Sequence, residues 1–415
     1  MHNGDLIDLD ITGVAHGGIF VGRHEGRVVF VPDTLPGERV RVRLTDTRKK
    51  AFWRAEAVEV LDAAPERRPH VWAAASIDRA PEERAGGAEF GHIALDHQRA
   101  VKERVIRESL ERVGRLELPV EVRSAGADET AGGTGWRTRV SLHVDEAGRV
   151  GPFAPRSHRV IETPDLPLAT DAIARVAAEL RSAAPGRVDL VQPADGRVRV
   201  LPRPDGARTS GTVEVVEERV GDRVFRVDAT GFWQVHRLAP VALTEAVAAR
   251  VEATAGELDP EALHLDLYGG VGLFAATLAD LGGASTRVVS VESDARATEH
   301  AGENLAEWVG ARAETARVDR YIGRLAADAS ARERERLTRG IVVLDPPRAG
   351  AGRDVVEGIA AIGPRAVVYV ACDPVALARD LATFADHGYR VDGGVHGLDL
   401  FPNSHHVEAV VALRR

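Results

Sequence analysis

Five residues able to bind a ligand or react recur at a near-constant interval: Asp266, Glu292, Asp319, Asp345 and Cys372. The gaps of 26, 27, 26 and 27 residues each match one strand-plus-helix unit. Asp266 closes the apolar run LHLDLY, Glu292 ends VVSVE, Asp319 follows ARV, Asp345 ends IVVLD and Cys372 ends AVVYVAC. In open α/β sheets ligands bind beyond the carboxyl ends of the strands, so this phase predicts one shared ligand-binding edge. The first strand runs into DLYGGVGLFAATLA, where Gly269, Gly270 and Gly272 permit a tight turn and close approach of a ligand to the backbone. Such a turn alone fits any dinucleotide-binding fold. Here a carboxylate at Glu292 suits the two hydroxyls of a ribose, and Asp319 suits an adenine amino group. The three features describe an adenosine pocket without a phosphate requirement, and no Walker lysine follows the glycines. S-adenosylmethionine fits this pattern; NAD stays open on this stretch alone.

The next loops carry the reactive groups. In VVLDPPRAGAG, two prolines stiffen the loop and hold Asp345 towards the crevice. Methylases of exocyclic amines often place an aromatic after such prolines to stack on the base; Arg348 stands there instead and disfavours that chemistry. In YVACDPVALARDLATF, Cys372 lies between a strand and a helix, where the helix dipole favours the thiolate. A small buried core cysteine is the alternative. In FPNSHHVEAVVALRR, strand alternation predicts His406 and Glu408 on one face. A carboxylate and a thiol at neighbouring strand ends suit a base and a nucleophile. The adjacent histidines lack an HExxH or Cys/His spacing, so no metal is expected.

These groups need elements to position them. Residues 256–415 alternate strand and helix patterns and predict a Rossmann-like α/β domain with a parallel sheet. Residues 1–62 read as a small β-barrel of short apolar runs between Gly, Pro and Asp turns. Within it, RVRVRLTDTRKKAFWR carries seven basic residues against one acid. Lys49 and Lys50 could neutralise phosphates and Trp53 could stack on a base; a solvated strand face with Trp53 in the barrel core is the alternative. Residues 63–255 read as a mixed α+β domain, with a helix predicted over 94–114 capped by Gly114. A single cysteine excludes an internal disulfide and any cysteine-built metal centre. The net charge of −9 argues against indiscriminate polyanion binding, not against a local basic surface. No apolar stretch approaches ~20 residues and the N-terminus lacks a signal-peptide pattern, so no membrane span and a cytoplasmic location are expected.

Taken together, GFWQVH (231–236), DLYGGVGLF (266–274), DPPRAG (345–350), the ACDP…ARDL run (371–381) and FPNSHHVE (401–408) resemble the RNA uracil-5-methyltransferase family, class I methylases that make 5-methyluridine in tRNA and ribosomal RNA. The Gly17-Gly18 turn, VVFVPDTLPGERVRV and Lys49-Lys50 make the first region similar to an RNA-binding TRAM domain. The resemblance implies an S-adenosylmethionine-dependent enzyme in which Cys372 adds to carbon 6 of uracil and Glu408 removes the carbon 5 proton. It further implies that Gln234, Asp266, Tyr268, Gly270, Glu292, Asp319 and Asp345 serve the cofactor. Lys49, Lys50, Trp53, Arg348 and His406 are expected on the RNA side. Relatives with an iron–sulfur cluster carry Cys-Gly-Gly-Cys where this chain has Ala85-Gly86-Gly87-Ala88, so no cluster is expected. His236 replaces the family's usual Asn, and Ser404 its usual threonine. Ribosomal RNA is expected ahead of tRNA as substrate, with no obligate protein partner. A methyltransferase acting on nitrogen or protein, and a non-catalytic RNA-binding factor, are the alternative readings.

Overall fold

Period-two alternation builds the first unit. The computed structural model describes residues 1–126, 132–181, 184–206 and 213–415. Strands β1 (Leu6–Ala15), β2 (Ile19–His24), β3 (Arg27–Val31), β4 (Arg39–Asp46) and β5 (Phe52–Asp62) close into a barrel in the order β1-β2-β3-β5-β4. Ile7, Leu9, Ile11, Val40, Val42 and Leu44 alternate inward and are buried. Trp53 joins them at 3% exposure, with the Arg27 guanidinium 4.6 Å from its ring centre. That corrects its expected role on the RNA face: its position in β5 has inward parity, so its ring fills the barrel. Three of the seven basic residues of the 39–54 segment are also paired with acids. Arg41 pairs with Asp8 at 2.8 Å, Arg43 with Glu56 at 2.7 Å and Arg48 with Asp46 at 2.9 Å. Lys49 and Lys50, in the β4–β5 turn, are exposed as a phosphate contact requires.

Between the barrel and the large sheet, α1 (Leu95–Ser109) continues through a π-helical turn, Leu110–Gly114. The left-handed cap is Arg115, at φ 53°, not Gly114. Gly114 instead lets the helix end meet Ala378, whose carbonyl oxygen lies 2.9 Å from where a side-chain carbon would stand. Ala85 and Ala88, where relatives place cluster cysteines, are buried in an apolar group with Trp72, Trp136, Ile161 and Leu168. Strand β6 (Val120–Ser124) leaves this region to join the large sheet. Strands β7 (Arg139–Val144) and β8 (Val150–Gly151), helix α2 (Asp171–Glu179), and strands β9 (Gly186–Val191) and β10 (Arg199–Pro204) form a separate four-stranded layer ordered β10-β9-β7-β8. A hairpin, β11 (Val215–Val220) with β12 (Arg223–Asp228), leads to α3 (Ala239–Ala255).

The remaining chain alternates: β13 (Leu263–Leu267), α4 (Leu273–Gly282), β14 (Arg287–Glu292), α5 (Ala295–Asn304), β15 (Ala311–Thr315), α6 (Val318–Asp328), α7 (Ala331–Arg339), β16 (Ile341–Leu344), α8 (Arg353–Ile362), β17 (Ala366–Ala371), α9 (Pro374–Asp386), β18 (Arg390–Asp399) and β19 (Glu408–Arg414). The sheet order is β15-β14-β13-β16-β17-β19-β18-β6. Strands β13 to β17 are parallel, and β19 runs antiparallel to β17 with Ala409 opposite Ala371. Both faces are covered, so β13, β16 and β17 are buried along their length, and β16 and β17 read as continuous apolar runs. The order reverses between β13 and β16, the switch point at which such sheets open a crevice. Among the described residues no helix is long and apolar enough to cross a membrane.

If Trp53 is a barrel-core residue, Trp53→Ala lowers folding stability by about 3–5 kcal/mol. Denaturant unfolding checks this: an unchanged midpoint with weakened RNA binding would return the side chain to the RNA face.

Candidate active site

The carboxyl edge of the sheet collects the phased residues in spatial order: Glu292 from β14, Asp266 in β13, Asp345 after β16, Cys372 after β17 and Glu408 opening β19. At the glycine loop, Tyr268 sits at φ 64°, a left-handed backbone uncommon for a tyrosine. Gly269 is obligatory, because a side-chain carbon there would stand 2.0 Å from the Ser290 hydroxyl and 2.6 Å from the Asp266 carboxylate. Gly270, at φ 54°, faces open space. Its N–H donates to Glu292 Oε2 at 3.3 Å, while Oε1 accepts from the Asp294 N–H at 2.9 Å. Asp266 lies wholly buried beneath this loop, not on its surface. Its Oδ2 accepts from the Ala275 N–H at 3.0 Å and the Ser290 hydroxyl at 3.1 Å, and Oδ1 has no protein partner. Burial, with the Glu292 charge adding, pushes its carboxyl up to about 7 despite those two bonds.

Cys372 and Glu408 stand at neighbouring strand ends. The β17–β19 register sets them side by side, one residue beyond the Ala371–Ala409 pair. Burial pushes the Cys372 thiol up to about 12, with the Glu408 and Asp345 charges adding and Arg348 opposing. The expectation of a dipole-stabilised thiolate is therefore corrected. The α9 N-terminus is already served by Asp373, whose Oδ1 accepts from the Val375 and Ala376 N–H groups at 3.0 and 2.8 Å. Burial raises Glu408 well above the usual carboxylate range, with Asp345 adding and Arg348 opposing. Asp345 is itself pushed up to about 7 by burial and Asp266. The site thus holds three carboxyls and a thiol all pushed above their ordinary values, with exposed Arg348 favouring the charged forms of Cys372 and Glu408.

A small cavity of about 60 Å³ opens at Cys372, walled by Arg348, His406, Lys102 and the barrel's β1–β2 turn. His16 of that turn meets Asp373 at 3.0 Å, and Gly18 packs so closely on His405 that a side-chain carbon would lie 2.8 Å from its Cβ. His406 does not share a strand face with Glu408, because β19 begins only at Glu408. The two histidines occupy the preceding turn, their rings 3.9 Å apart, and His406 Nε2 lies 3.3 Å from Arg348. Burial, His405 and Arg348 hold His406 down to about 3, so it is neutral.

Asp319 is also placed differently from its reading as a strand end. Strand β15 stops at Thr315, and Asp319 lies in the first turn of α6, bonded to Arg317 at 2.7 Å. It still approaches the glycine loop, since its charge helps raise the Tyr268 phenol to about 12 after burial itself. Gln234 lies between β12 and α3, lining a cleft of about 780 Å³ with Gln192 and Arg237. His236 is buried there, its ring stacked 5.3 Å from Trp136, with Nδ1 accepting from the Leu238 N–H. Sequence reasoning passed over Phe232, which is 76% exposed beside Gln234. An aromatic between Gly231 and a glutamine was the available signal. Among the described residues no group of three or more His, Cys, Asp or Glu side chains is arranged to hold a metal.

Residues 2–58 match the TRAM domain, and residues 246–415 match the family described as tRNA (uracil-5-)-methyltransferase. An uncharacterized RNA methyltransferase of Streptomyces coelicolor is 37% identical over 99% of this chain and 93% of its own. Another from Bifidobacterium longum is 35% identical over 98% and 96%. Among solved structures, the tRNA (uracil-54, C5)-methyltransferase of Pyrococcus abyssi, in complex with S-adenosyl-L-homocysteine, superposes with a TM-score of 0.69 at 22% identity. It covers 98% of this chain and 100% of that one, which establishes the shared fold.

The raised thiol has a direct readout, since Cys372 is the only cysteine. Iodoacetamide alkylation of the ligand-free protein is expected to be slow at neutral pH and still accelerating between about pH 8 and about pH 10. Glu408→Gln should move that rise to lower pH by removing the largest charge that disfavours the thiolate. A rate that levels off by about pH 8 would contradict the burial argument.

Proposed function

The chain belongs to the tRNA (uracil-5-)-methyltransferase family of RNA methyltransferases, and on that premise we propose that it methylates carbon 5 of a uridine through a covalent bond from Cys372. The observation that carries this reading is the juxtaposition of Cys372 and Glu408 across β17 and β19, with Asp345 and Arg348 acting on both.

The residues present fit S-adenosylmethionine. Open backbone at Gly270 adjoins the Glu292 carboxylate, which suits a ribose diol, and no lysine follows the loop to receive a phosphate. Glu292, Gly270 and Tyr268 would hold the adenosine, Asp319 its adenine end, and Gln234 and Asp345 the side towards the base. Asp266 supports the loop from beneath. The cofactor, when bound, supplies an electrophilic methyl group on sulfonium.

Uracil carbon 5 is too weak a nucleophile to take that methyl unaided. The Cys372 proton leaves to solvent, and sulfur bonds to carbon 6 while the ring double-bond electrons move onto O4. The resulting enolate makes carbon 5 nucleophilic; its electron pair would take the methyl as the methyl–sulfur bond breaks, with S-adenosylhomocysteine, a neutral thioether, as the leaving group. Glu408 as carboxylate then takes the carbon 5 proton, the ring double bond reforms, and the carbon–sulfur bond breaks to return the thiolate. A high-pKa carboxyl is a strong base once ionised, so burial of Glu408 serves this step. Arg348 at the mouth offsets the negative charge that passes through the site. The uridine leaves its stack so that sulfur and methyl donor reach opposite faces of the ring. Lys49 and Lys50 on the barrel would hold phosphates of the same RNA. Ribosomal RNA is the first substrate to test and tRNA the second, both met in the cytoplasm.

Mapping 5-methyluridine in cellular rRNA and tRNA with and without the protein identifies the target. Cys372→Ala is expected to abolish incorporation, and methylation that survives it would reject the nucleophile. Glu408→Gln is expected to cut turnover at least ~100-fold, the scale of general-base contributions, while an SDS-stable protein–RNA adduct accumulates. Normal turnover without adduct would remove Glu408 from the base role.

A further inference from the structure

Helix α1 lies outside the catalytic alternation, yet two buried polar residues one turn apart on it reach the turn that leads into Glu408. Gln98 and Lys102 are 0% and 1% exposed. Lys102 Nζ donates to Asp399 Oδ1 at 2.5 Å and to the Phe401 carbonyl at 2.9 Å. Gln98 accepts from the Asn403 N–H at 2.7 Å and donates to Asn403 Oδ1 at 3.0 Å. It also donates to the Phe90 and Ile93 carbonyls, while Phe90 N–H donates to the Asn403 carbonyl. Asn403 is itself buried, in a left-handed conformation at φ 66°.

These bonds hold one short connection at its β18 stem and at its middle. Asp399 is the last residue of β18 and Glu408 the first of β19, with Leu398 opposite Glu408 in the register. Everything between them is turn, and its direction sets where the Glu408 carboxylate starts. Cys372 is delivered by β17 and α9, whereas the bonds described for Gln98 and Lys102 go to Asp399, Phe401, Asn403, Phe90 and Ile93. Lys102 shares the small cavity at Cys372, but its ammonium is directed to Asp399 and Phe401. A buried ion pair gains little over apolar packing of the same shape, so its use here is to fix one geometry.

We propose that Lys102, through Asp399 and the Phe401 carbonyl, is a positioning residue for Glu408, with Gln98–Asn403 as a second clamp. Resting on the covalent reading above, this assigns Lys102 and Gln98 to proton removal and release.

The test uses the full-length protein with S-adenosylmethionine and bulk rRNA and tRNA from cells lacking it. Lys102→Met alone leaves the buried Asp399 carboxylate with only the Arg99 guanidinium, 3.5 Å away, so it is paired with Lys102→Met/Asp399→Asn, which removes both charges of the closer pair. The double variant is expected to fold and to keep KM for both substrates. It should form the SDS-stable adduct and lose kcat by about 10–100-fold with adduct accumulating, the scale of a base displaced by about an ångström. Lys102→Arg, which retains the charge, should recover part of the rate. Wild-type kcat, a loss without adduct, or a double variant that cannot fold would each overturn the proposal. If Glu408→Gln accumulates adduct and the double variant does not, the lock alone fails. If neither does, the covalent reading fails and the lock with it.

Discussion

Antiparallel pairing of β19 against β17 brings the start of one strand to the end of the other, and so sets Glu408 beside Cys372. Were β19 parallel like its neighbours, its first residue would lie at the far edge of the sheet. The reversal therefore puts a carboxylate from the end of the chain into a row otherwise built from strand ends. Asp266, Asp345, Cys372 and Glu408 then share one poorly hydrated edge, where each charge acts strongly on the next. The same crowding that keeps thiol and carboxyl neutral at rest makes each a stronger nucleophile or base once its proton has gone.

Parts from every region hold this edge. The barrel contributes the His16–Asp373 contact and the glycine turn against His405. Helix α1 contributes Gln98 and Lys102 to the turn before β19. The hairpin β11–β12 is tied to α4 and α5, where Arg223 meets Asp280 and Arg296 meets Asp228. The TRAM barrel is thus physically continuous with the wall of the cavity at Cys372.

Much of this was legible in the sequence because strand ends leave a phase. The apolar runs before Asp266, Glu292, Asp345 and Cys372 fall where β13, β14, β16 and β17 end, since doubly covered strands must be continuously apolar. Asp319 broke the phase because β15 is a short edge strand without such a run, and α6 starts before it. His406 was misplaced because alternation holds only inside a strand, and the turn extends to Val407. Trp53 illustrates a different limit: an aromatic among arginines suits either face, and only the β5 register gives its parity. The raised thiol was out of reach as well, because the helix dipole is local whereas burial by Glu408 and Asp345 is tertiary. Gln98 and Lys102 did leave a trace, as polar residues one turn apart on a helix whose Val101 and Ile106 are buried, but a single sequence reads them as solvent-facing.

The central claim is a transient bond between Cys372 and uracil carbon 6, and the most direct measurement identifies that bond chemically. The wild-type protein is incubated with S-adenosylmethionine and 5-fluorouracil-substituted rRNA and tRNA, whose carbon 5 carries no proton for Glu408 to remove. After nuclease and protease digestion, mass spectrometry should find a 5-fluoro-5-methyl-5,6-dihydrouridine nucleotide attached through carbon 6 to the peptide containing Cys372. Methylated RNA alongside an unmodified Cys372 peptide would contradict the account.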